Sequence, residues 1–293
     1  MNSRTTRDHT FLNPAQAACD KARSLFHIVP VPYEATVSYG HGTARGPGAI
    51  LTASRYLEEF DGSCIPCDAG IHVEPTVRVK GLKPEAVYRR IEKSVHDVLH
   101  EGSIPVVLGG EHSLTLGAIR ALRESGQPFG VVHFDAHSDL RDSYQGTRHS
   151  HACAMRRVLD LGVPLFQVGV RSFDRQDPEV RKRWHVGHLD ADEIARRGIP
   201  RRILPAGFPK KIYISFDVDA FDCSLMPSTG TPEPGGLSWN DAITALERVI
   251  HGRQVVGFDT VELAPIPGLH APDFVAAKLV YSIMGMIVRN LLR

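Results

Sequence analysis

Two acidic clusters, each directly after a hydrophobic run, hold the residues of this sequence best suited to chemistry. One reads D-A-H-S-D and the other D-V-D, and alternate positions carry the polar side chains Asp135, His137, Asp139, Asp217 and Asp219. Alternate side chains of an extended segment share a face, so each cluster is expected to present these groups to one side. Four carboxylates that converge on one pocket repel each other strongly unless cations lie between them. The spacing therefore predicts a metal centre.

Further polar groups follow other hydrophobic runs. His112 lies in the motif G-G-E-H-S, Glu262 comes shortly after the last run, and His151 opens the segment after a long loop. Two imidazoles with four carboxylates suit a hard-to-borderline divalent ion such as Mn²⁺ better than thiol-seeking Zn²⁺. Six ligands are too many for one ion with an open position. They suffice for two ions that share bridging carboxylates and activate water for hydrolysis.

Short apolar runs alternate with segments of helical period along the chain. Predicted strands lie at residues 26–31, 104–108, 129–134, 165–170, 211–216 and 254–258, and predicted helices at 84–100, about 111–123, 151–161, 239–251 and 272–293. Strands separated by helix-length segments imply parallel strands with right-handed crossovers, and so an α/β sheet covered on both faces. Ligands of such sheets bind beyond the carboxyl ends of the strands, where both acidic clusters are expected.

The composition is that of an ordinary soluble globular protein of 293 residues. Its 34 Lys+Arg residues nearly balance its 33 Asp+Glu residues, so neither nucleic acid nor a membrane surface is an expected partner. The run 274–292 comes nearest to a membrane span, but polar residues interrupt it. An odd number of cysteines, five, without an apolar secretory segment favours a reducing compartment, and we expect a cytoplasmic protein.

Common alternatives fit the residues less well. The segment from Asp217 begins like a calcium loop, but its third acid is misplaced and Ser228 stands where the terminal Glu is needed. The sequence contains neither a P-loop nor a dinucleotide-binding fingerprint after a strand. The C-x-x-C at residues 64–67 has no second pair, so free loop thiols are favoured over a zinc or redox site.

In combination, these motifs resemble those of the ureohydrolases, the family of arginase and agmatinase, and the agmatinase-like branch most of all. Residues 109–113 are similar to the family's G-G-[DE]-H-S, 135–139 to D-A-H-x-D, 215–222 to S-x-D-x-D-x-x-D, and 227–236 to P-x-x-G-T-P-x-x-G-G. The resemblance extends from about residue 40 to the C-terminus. It departs at Cys223, where the family usually has proline, and this bears on the rigidity of the loop more than on the chemistry.

The resemblance implies two Mn²⁺ ions per subunit, with Asp135 and Asp217 bridging them. His112 and Asp139 would complete the ligands of one ion, and His137 and Asp219 those of the other. The implied fold is a three-layer α/β/α domain around a mostly parallel sheet, arginase-like, over residues 25–293. An irregular N-terminal extension would cover residues 1–24, and the assembly would be a homotrimer or homohexamer.

The resemblance also implies catalytic roles. Glu262 matches the glutamate that pairs with the substrate guanidinium, a planar fork that suits a carboxylate. His151 matches a loop histidine that shuttles protons, since imidazole titrates near neutral pH, and Asp139 would relay a proton to the leaving amine. His149 is a rival for the role of His151, and His133 is expected to be a packed support rather than a ligand.

The implied reaction is hydrolysis of the guanidino C–N bond of a linear guanidino compound, with agmatine, cleaved to putrescine and urea, the leading substrate. The loop after Asp139 has no Asn two residues on, which disfavours arginine. A carboxylate tail, as in 4-guanidinobutyrate, could pair with Arg141 or Arg148, so that substrate stays open. Arginase and formimidoylglutamase activities are further alternatives, and a non-catalytic metal-binding relative is the alternative from another class.

Overall fold

Eight parallel strands form one sheet in the computed structural model, which describes residues 10–12 and 20–292. The strand order is β2-β1-β3-β8-β7-β4-β5-β6, and every pairing is parallel. The strands are β1 Phe26–Val31, β2 Ile71–Val73, β3 Ile104–Gly109, β4 Gly130–Phe134, β5 Leu165–Val168, β6 Gly187–Leu189, β7 Lys211–Asp217 and β8 Gln254–Val261.

Helices cover both faces of the sheet, so the described residues form three α/β/α layers, as predicted. The helices are α1 Gly46–Ser54, α2 Pro84–His100, α3 Thr115–Glu124, α4 Ala154–Asp160, α5 Asp177–Arg183, α6 Ala191–Arg197, α7 Trp239–Ile250 and α8 Ala271–Leu291. Successive residues of β3 show the division, because Val106 and Leu108 pack with α1, α7 and α8 whereas Val107 packs with α2, α3 and α4. The central strands therefore supply two hydrophobic cores, which explains why their sequences are apolar without alternation.

The six predicted strands and five predicted helices are present, with small shifts at their ends. The helix Pro84–His100 has its predicted bounds, and Ser238 caps α7 through a capping box with Asp241. The sequence prediction missed the two edge strands β2 and β6, which have three residues each, and the short helices α1, α5 and α6. Runs this short lack enough periodicity to be recognised.

The last helix, α8, has the length and apolar composition that could cross a membrane, but 61% of its most apolar window is buried inside the protein. Helices in the core of a soluble protein show the same composition. Most of the predicted N-terminal extension lies outside the described residues. Within it, Phe11 and Leu12 are buried, and the Leu12 amide donates to Ser54 Oγ at 3.0 Å.

The sheet order gathers the predicted site residues. His112 follows β3, Glu262 follows β8, Asp217 ends β7 and Asp135 follows β4. These four strands are adjacent in the order β3-β8-β7-β4 at the centre of the sheet. Because all four are parallel, their carboxyl ends meet at one edge, and the side chains that follow them reach a common space.

Candidate metal centre

Carboxylate oxygens surround two histidine nitrogens at this edge of the sheet. His112 Nδ1 lies 3.1 Å from Asp135 Oδ2 and 3.3 Å from both Asp139 Oδ2 and Asp217 Oδ2. His137 Nδ1 lies 3.0 Å from Asp219 Oδ2 and 3.4 Å from the other oxygen of Asp135. The structure thus brings together all six predicted ligands, and Asp135 faces both histidines. Ligands at right angles around one ion, with bonds of about 2.1 Å, lie ~3.0 Å apart, close to these spacings.

The electrostatics of this cluster favour bound cations. The carboxylates of Asp135, Asp139, Asp217 and Asp219 are all nearly inaccessible to solvent. Burial, reinforced by repulsion from neighbouring carboxylates, raises the pKa of Asp139 and of Asp217 well above the usual value. Ionising these groups together is therefore costly unless positive charge lies between them.

The orientation of His112 provides an independent test of metal binding. Its Nε2 lies 2.8 Å from Ser215 Oγ, whose hydroxyl donates to Asp259 Oδ1 at 2.8 Å. Ser215 therefore accepts from His112, so Nε2 carries a proton and, in the neutral ring, Nδ1 has a lone pair. Burial opposes protonation, but the facing carboxylates raise the pKa of His112, so Nδ1 draws a positive species, either a proton or a metal ion. That nitrogen is buried, has no hydrogen-bond partner and faces three carboxylates. A lone pair and carboxylate oxygens repel each other, but all of them can bind the same cation. The residues therefore fit a metal ion.

Asp259 is the first group in this series of hydrogen bonds and is completely buried. Besides Ser215, it accepts hydrogen bonds from Thr115 Oγ1 at 2.8 Å and Tyr213 Oη at 2.9 Å. Burial raises its pKa, and the three donors compensate for its loss of water. Asp259 thus holds Ser215, which in turn fixes the ring of His112.

His133 lies next to Asp135 but acts as a donor rather than a ligand. Arg181 Nε donates to Gln167 Oε1 at 2.9 Å, which orients the amide so that Gln167 Nε2 donates to His133 Nδ1 at 3.1 Å. The remaining nitrogen, Nε2, therefore carries a proton and donates to Asp135 Oδ2 at 2.8 Å. Burial lowers the pKa of His133, which keeps the ring neutral. His133 thus supports Asp135, in agreement with the sequence interpretation.

Arg171 joins the two loops behind His137. Its guanidinium donates to the carbonyls of Asp219 and Glu233, each at 2.8 Å, and to the carbonyl of Pro234 at 3.0 Å. Asp222 adds a second link, since its carboxylate accepts the amides of residues 235 and 236 at 2.7 and 3.0 Å. These bonds lower the pKa of Asp222 to about 2, the bond from Ser224 being the largest cause. Asp222 therefore supports the loop.

Two of the predicted site residues adopt the left-handed backbone region. Asp139 has a φ of 54° and Glu262 a φ of 64°, among only five non-glycine residues with positive φ in the described part of the chain. This conformation costs free energy for residues other than glycine and persists where surrounding contacts enforce it. One such contact is the bond from the His112 amide to Glu262 Oε1, at 2.6 Å.

The motif G-G-E-H-S allows a close approach of two backbones. A Cβ atom on Gly110 would lie 1.9 Å from the carbonyl oxygen of Tyr33, so no other residue fits there. The next residue, Glu111, is fully buried and accepts the amides of Ala35 and Thr36, each at 2.5 Å. Thr36 Oγ1 in turn accepts the amide of His151 at 3.0 Å. The motif therefore fixes His112 and, through Glu111 and Thr36, the position of the backbone at His151.

The cluster opens into a cavity of about 200 Å³, which His151 and Glu262 also line. Burial, with repulsion from Glu111, raises the pKa of Glu262. Burial lowers the pKa of His151, whose ring nitrogens lie 3.4 Å from Thr36 Oγ1 and Ser38 Oγ. His149, the rival in sequence, is not among the lining residues and packs against the ring of Tyr88. Cys223 does not line the cavity either.

Sequence reasoning missed the groups behind the ligands. Asp259, Tyr213 and Gln167 lie inside strands and carried no motif of their own. A polar residue in an otherwise apolar buried strand was the available signal, because such a group needs a partner. Arg171 had no comparable signal, since its partners are backbone carbonyls distant in sequence.

A parallel α/β/α sheet with an aspartate and histidine cluster at its carboxyl edge defines a metal-binding α/β protein. The Arginase family model matches residues 24–285. The chain is 42% identical over 262 residues to N(1)-aminopropylagmatine ureohydrolase of Thermus thermophilus, which covers 88% of this chain and 89% of that protein. It is 35% identical over 266 residues to agmatinase of Pyrococcus horikoshii, covering 89% and 92% respectively.

A solved structure, that of agmatine ureohydrolase of Thermoplasma volcanium, matches with a TM-score of 0.82 and 32% identity over 96% of this chain and 95% of that one. The chain therefore belongs to the arginase family. It is a ureohydrolase, an enzyme that acts on C–N bonds, and its relatives place it in the agmatinase-like branch, which confirms the resemblance in the motifs.

The orientation of His112 generates a prediction. Ser215→Ala removes the acceptor of His112 Nε2–H, so we expect metal affinity to fall by roughly 10–100-fold. Titration of metal-free protein with Mn²⁺ by calorimetry measures the change. Ser228→Ala is the matched control, because the buried Ser228 hydroxyl has no hydrogen-bond partner to lose. Equal affinities in the two variants would show that Ser215 does not orient a ligand.

Proposed function

We propose that this protein binds two Mn²⁺ ions and hydrolyses the guanidino C–N bond of a linear guanidino compound, releasing urea and an amine. The proposed ligands of one ion are His112, Asp135, Asp139 and Asp217, and those of the other are His137, Asp135, Asp217 and Asp219. The observation that carries the proposal is the unpartnered Nδ1 of His112 among three buried carboxylates, beside a cavity that Glu262 also lines. When bound, such a pair of divalent ions activates water and polarises the substrate.

The chain's own side chains supply the remaining steps. Glu262 lies beyond the end of β8 with Oε1 held by the His112 amide, and its carboxylate binds the planar guanidinium. Asp139, whose Oδ2 lies 3.3 Å from His112 Nδ1, passes a proton to the departing amine. His151, with its lowered pKa, is neutral near physiological pH and accepts a proton that it exchanges with solvent.

The arginines near the cavity rim bear on which substrate tail can bind. Arg141 lines the cavity, but its guanidinium lies 2.6 Å from Asp174 Oδ2, so its charge is already paired. Arg148 lies outside the lining and is paired with Asp142 and Asp160, both at 3.1 Å. Neither arginine is thus poised to hold a carboxylate tail, which weakens the case for 4-guanidinobutyrate. Agmatine and its N1-aminopropyl derivative both carry amines, and the 42% identical relative favours the aminopropyl derivative.

The assembly and location follow from the family resemblance. We propose a single catalytic domain over residues 25–293, a homotrimer or homohexamer, and a cytoplasmic protein. Alignments with the N(1)-aminopropylagmatine ureohydrolases of two bacteria include 97% and 88% of this chain, which supports one continuous domain.

A substrate panel tests the function directly. We expect urea release from N1-aminopropylagmatine to have the highest kcat/KM, followed by agmatine. Arginine and 4-guanidinobutyrate are expected to be far slower, because Arg141 is already paired with Asp174 and Arg148 lies outside the cavity lining. Urea assays on Mn²⁺-loaded protein measure the ranking. A preference for 4-guanidinobutyrate would contradict the argument from Arg141, and absence of urea with every guanidino compound would refute the proposed reaction.

The bridging role of Asp135 generates a second test. Asp135→Asn removes a negative charge that faces both histidines, so we expect loss of the bound metal pair and of nearly all urea release. Metal content after dialysis and urea assays are the measurements. Asp142→Asn is the control, since this exposed carboxylate pairs with Arg148 and Arg157 outside the cavity. Full urea release by Asp135→Asn would refute the two-metal assignment.

His151 is tested by its effect on kcat. His151→Asn is expected to lower kcat by about 10²–10⁴-fold, the contribution of a general acid–base group, with metal content unchanged and partial recovery on adding imidazole. His149→Asn, two residues away and outside the cavity lining, is expected to retain nearly full activity. The reverse pattern would assign the proton transfer to His149.

A further inference from the structure

A second cluster of histidine and glutamate side chains lies at the amino-terminal edge of the sheet. His27 is the second residue of β1 and pairs in register with His72 of β2, and Glu74 directly follows that strand. Glu101 directly follows α2, and Lys21 lies in a short turn before β1. We call these five residues the basal cluster. They take no part in the proposed reaction.

Ligand-type atoms converge on His27 Nδ1. Glu74 Oε1 lies 2.9 Å and Glu101 Oε2 3.6 Å from this nitrogen, and His72 Nε2 lies 3.9 Å from Glu74 Oε1. His27 is completely buried, whereas Glu101 is 39% exposed, so the group lies at the edge of the core with one side toward solvent. The atoms of His27, Glu74 and Glu101 are close enough to share one ion.

The hydrogen bonds of His27 define what its Nδ1 can do. Its Nε2 lies 3.0 Å from the carbonyl oxygen of Lys21, which can only accept, so Nε2 carries a proton. Nδ1 of the neutral ring therefore has a lone pair that faces the carboxylate of Glu74. Bonds from Lys21 and His27 outweigh burial and lower the pKa of Glu74, which is thus ionised. A positive species between the two atoms, either a proton on Nδ1 or a metal ion, relieves the repulsion between this lone pair and the carboxylate.

We propose that the basal cluster is a second metal site, which takes one divalent cation of the zinc type through His27, Glu74 and Glu101, with His72 as the fourth ligand. A tetrahedral ion with bonds of about 2.1 Å separates its ligand atoms by ~3.4 Å, in the middle of the observed 2.9–3.9 Å. Two imidazoles with only two carboxylates suit Zn²⁺ better than the oxygen-rich catalytic cluster does.

Lys21 competes for this position. Its Nζ lies 3.0 Å from Glu74 and 3.1 Å from Glu101, so the ammonium supplies positive charge between the glutamates. The side chain is 44% exposed and can turn into solvent when an ion enters. Removing the ammonium is therefore expected to strengthen metal binding, the opposite of what the loss of a merely stabilising ion pair would do.

The site is separate from the catalytic centre. His27 pairs with Pro105 near the start of β3, whereas His112 follows the end of that strand. The intervening strand residues, at about 3.3 Å each, separate the two sites. A bound ion would join β1, β2 and the end of α2, and we expect it to stabilise the fold rather than to take part in catalysis.

The test uses full-length protein already loaded with Mn²⁺, titrated with Zn²⁺ and, for its visible spectrum, with Co²⁺. We expect one further ion per chain and a higher Tm. Lys21→Met is expected to bind that ion about fivefold tighter, the equivalent of the ~1 kcal/mol of a partly exposed ion pair. Glu101→Gln is expected to lose the ion while keeping full urea release, and Glu193→Gln, a distant exposed glutamate, serves as the matched control.

The outcomes separate this inference from the proposed function. Loss of the extra ion in Glu101→Gln alone, with unchanged urea release, supports the basal site. If Lys21→Met binds no additional Zn²⁺ or Co²⁺ and only lowers Tm, the cluster is an ion-pair network and the inference is overturned. Equal binding by wild type and Glu101→Gln also overturns it. Urea release reports on the catalytic centre in every variant, so failure of one proposal leaves the other measurable.

Discussion

Repulsion between buried carboxylates is the constraint on which the rest of this structure depends. Asp135, Asp139 and Asp217 place oxygens within 3.1–3.3 Å of one imidazole nitrogen, and all three are nearly inaccessible to water. Such an arrangement is unfavourable by itself, because buried carboxylates lose their hydration and repel each other. It becomes favourable when cations bind, so stability and function are linked through the same atoms.

Buried polar groups around the site orient its histidine side chains. Asp259 and Ser215 direct the lone pair of His112 toward the carboxylates, while Gln167 forces His133 to donate to Asp135. Both series of hydrogen bonds include a completely buried strand residue, Asp259 of β8 in one and Gln167 of β5 in the other. A hydrogen bond in such a place has a defined partner and direction. The metal centre is thus a property of the strands as much as of the loops that carry the ligands.

Much of this could be predicted from the sequence. Long apolar runs identified the central strands, and the clusters after β4 and β7 identified most of the proposed ligands. The edge strands β2 and β6 could not be found, because three residues give no usable pattern. The insertion of β8 between β3 and β7, which brings Glu262 beside His112, was equally hidden, since strand order depends on packing between residues far apart in the chain.

The sequence by itself determined the class of fold, the ligand types and the family resemblance, because strand runs and metal ligands are local patterns with strict chemical requirements. Only the tertiary structure decided which nitrogen of His112 is free, that Arg141 is already paired with Asp174, and that His27 meets Glu74 and Glu101 at the opposite edge. These features depend on distances between residues separated by tens of positions or more. No local pattern encodes such distances, because the packing of helices against the sheet sets them.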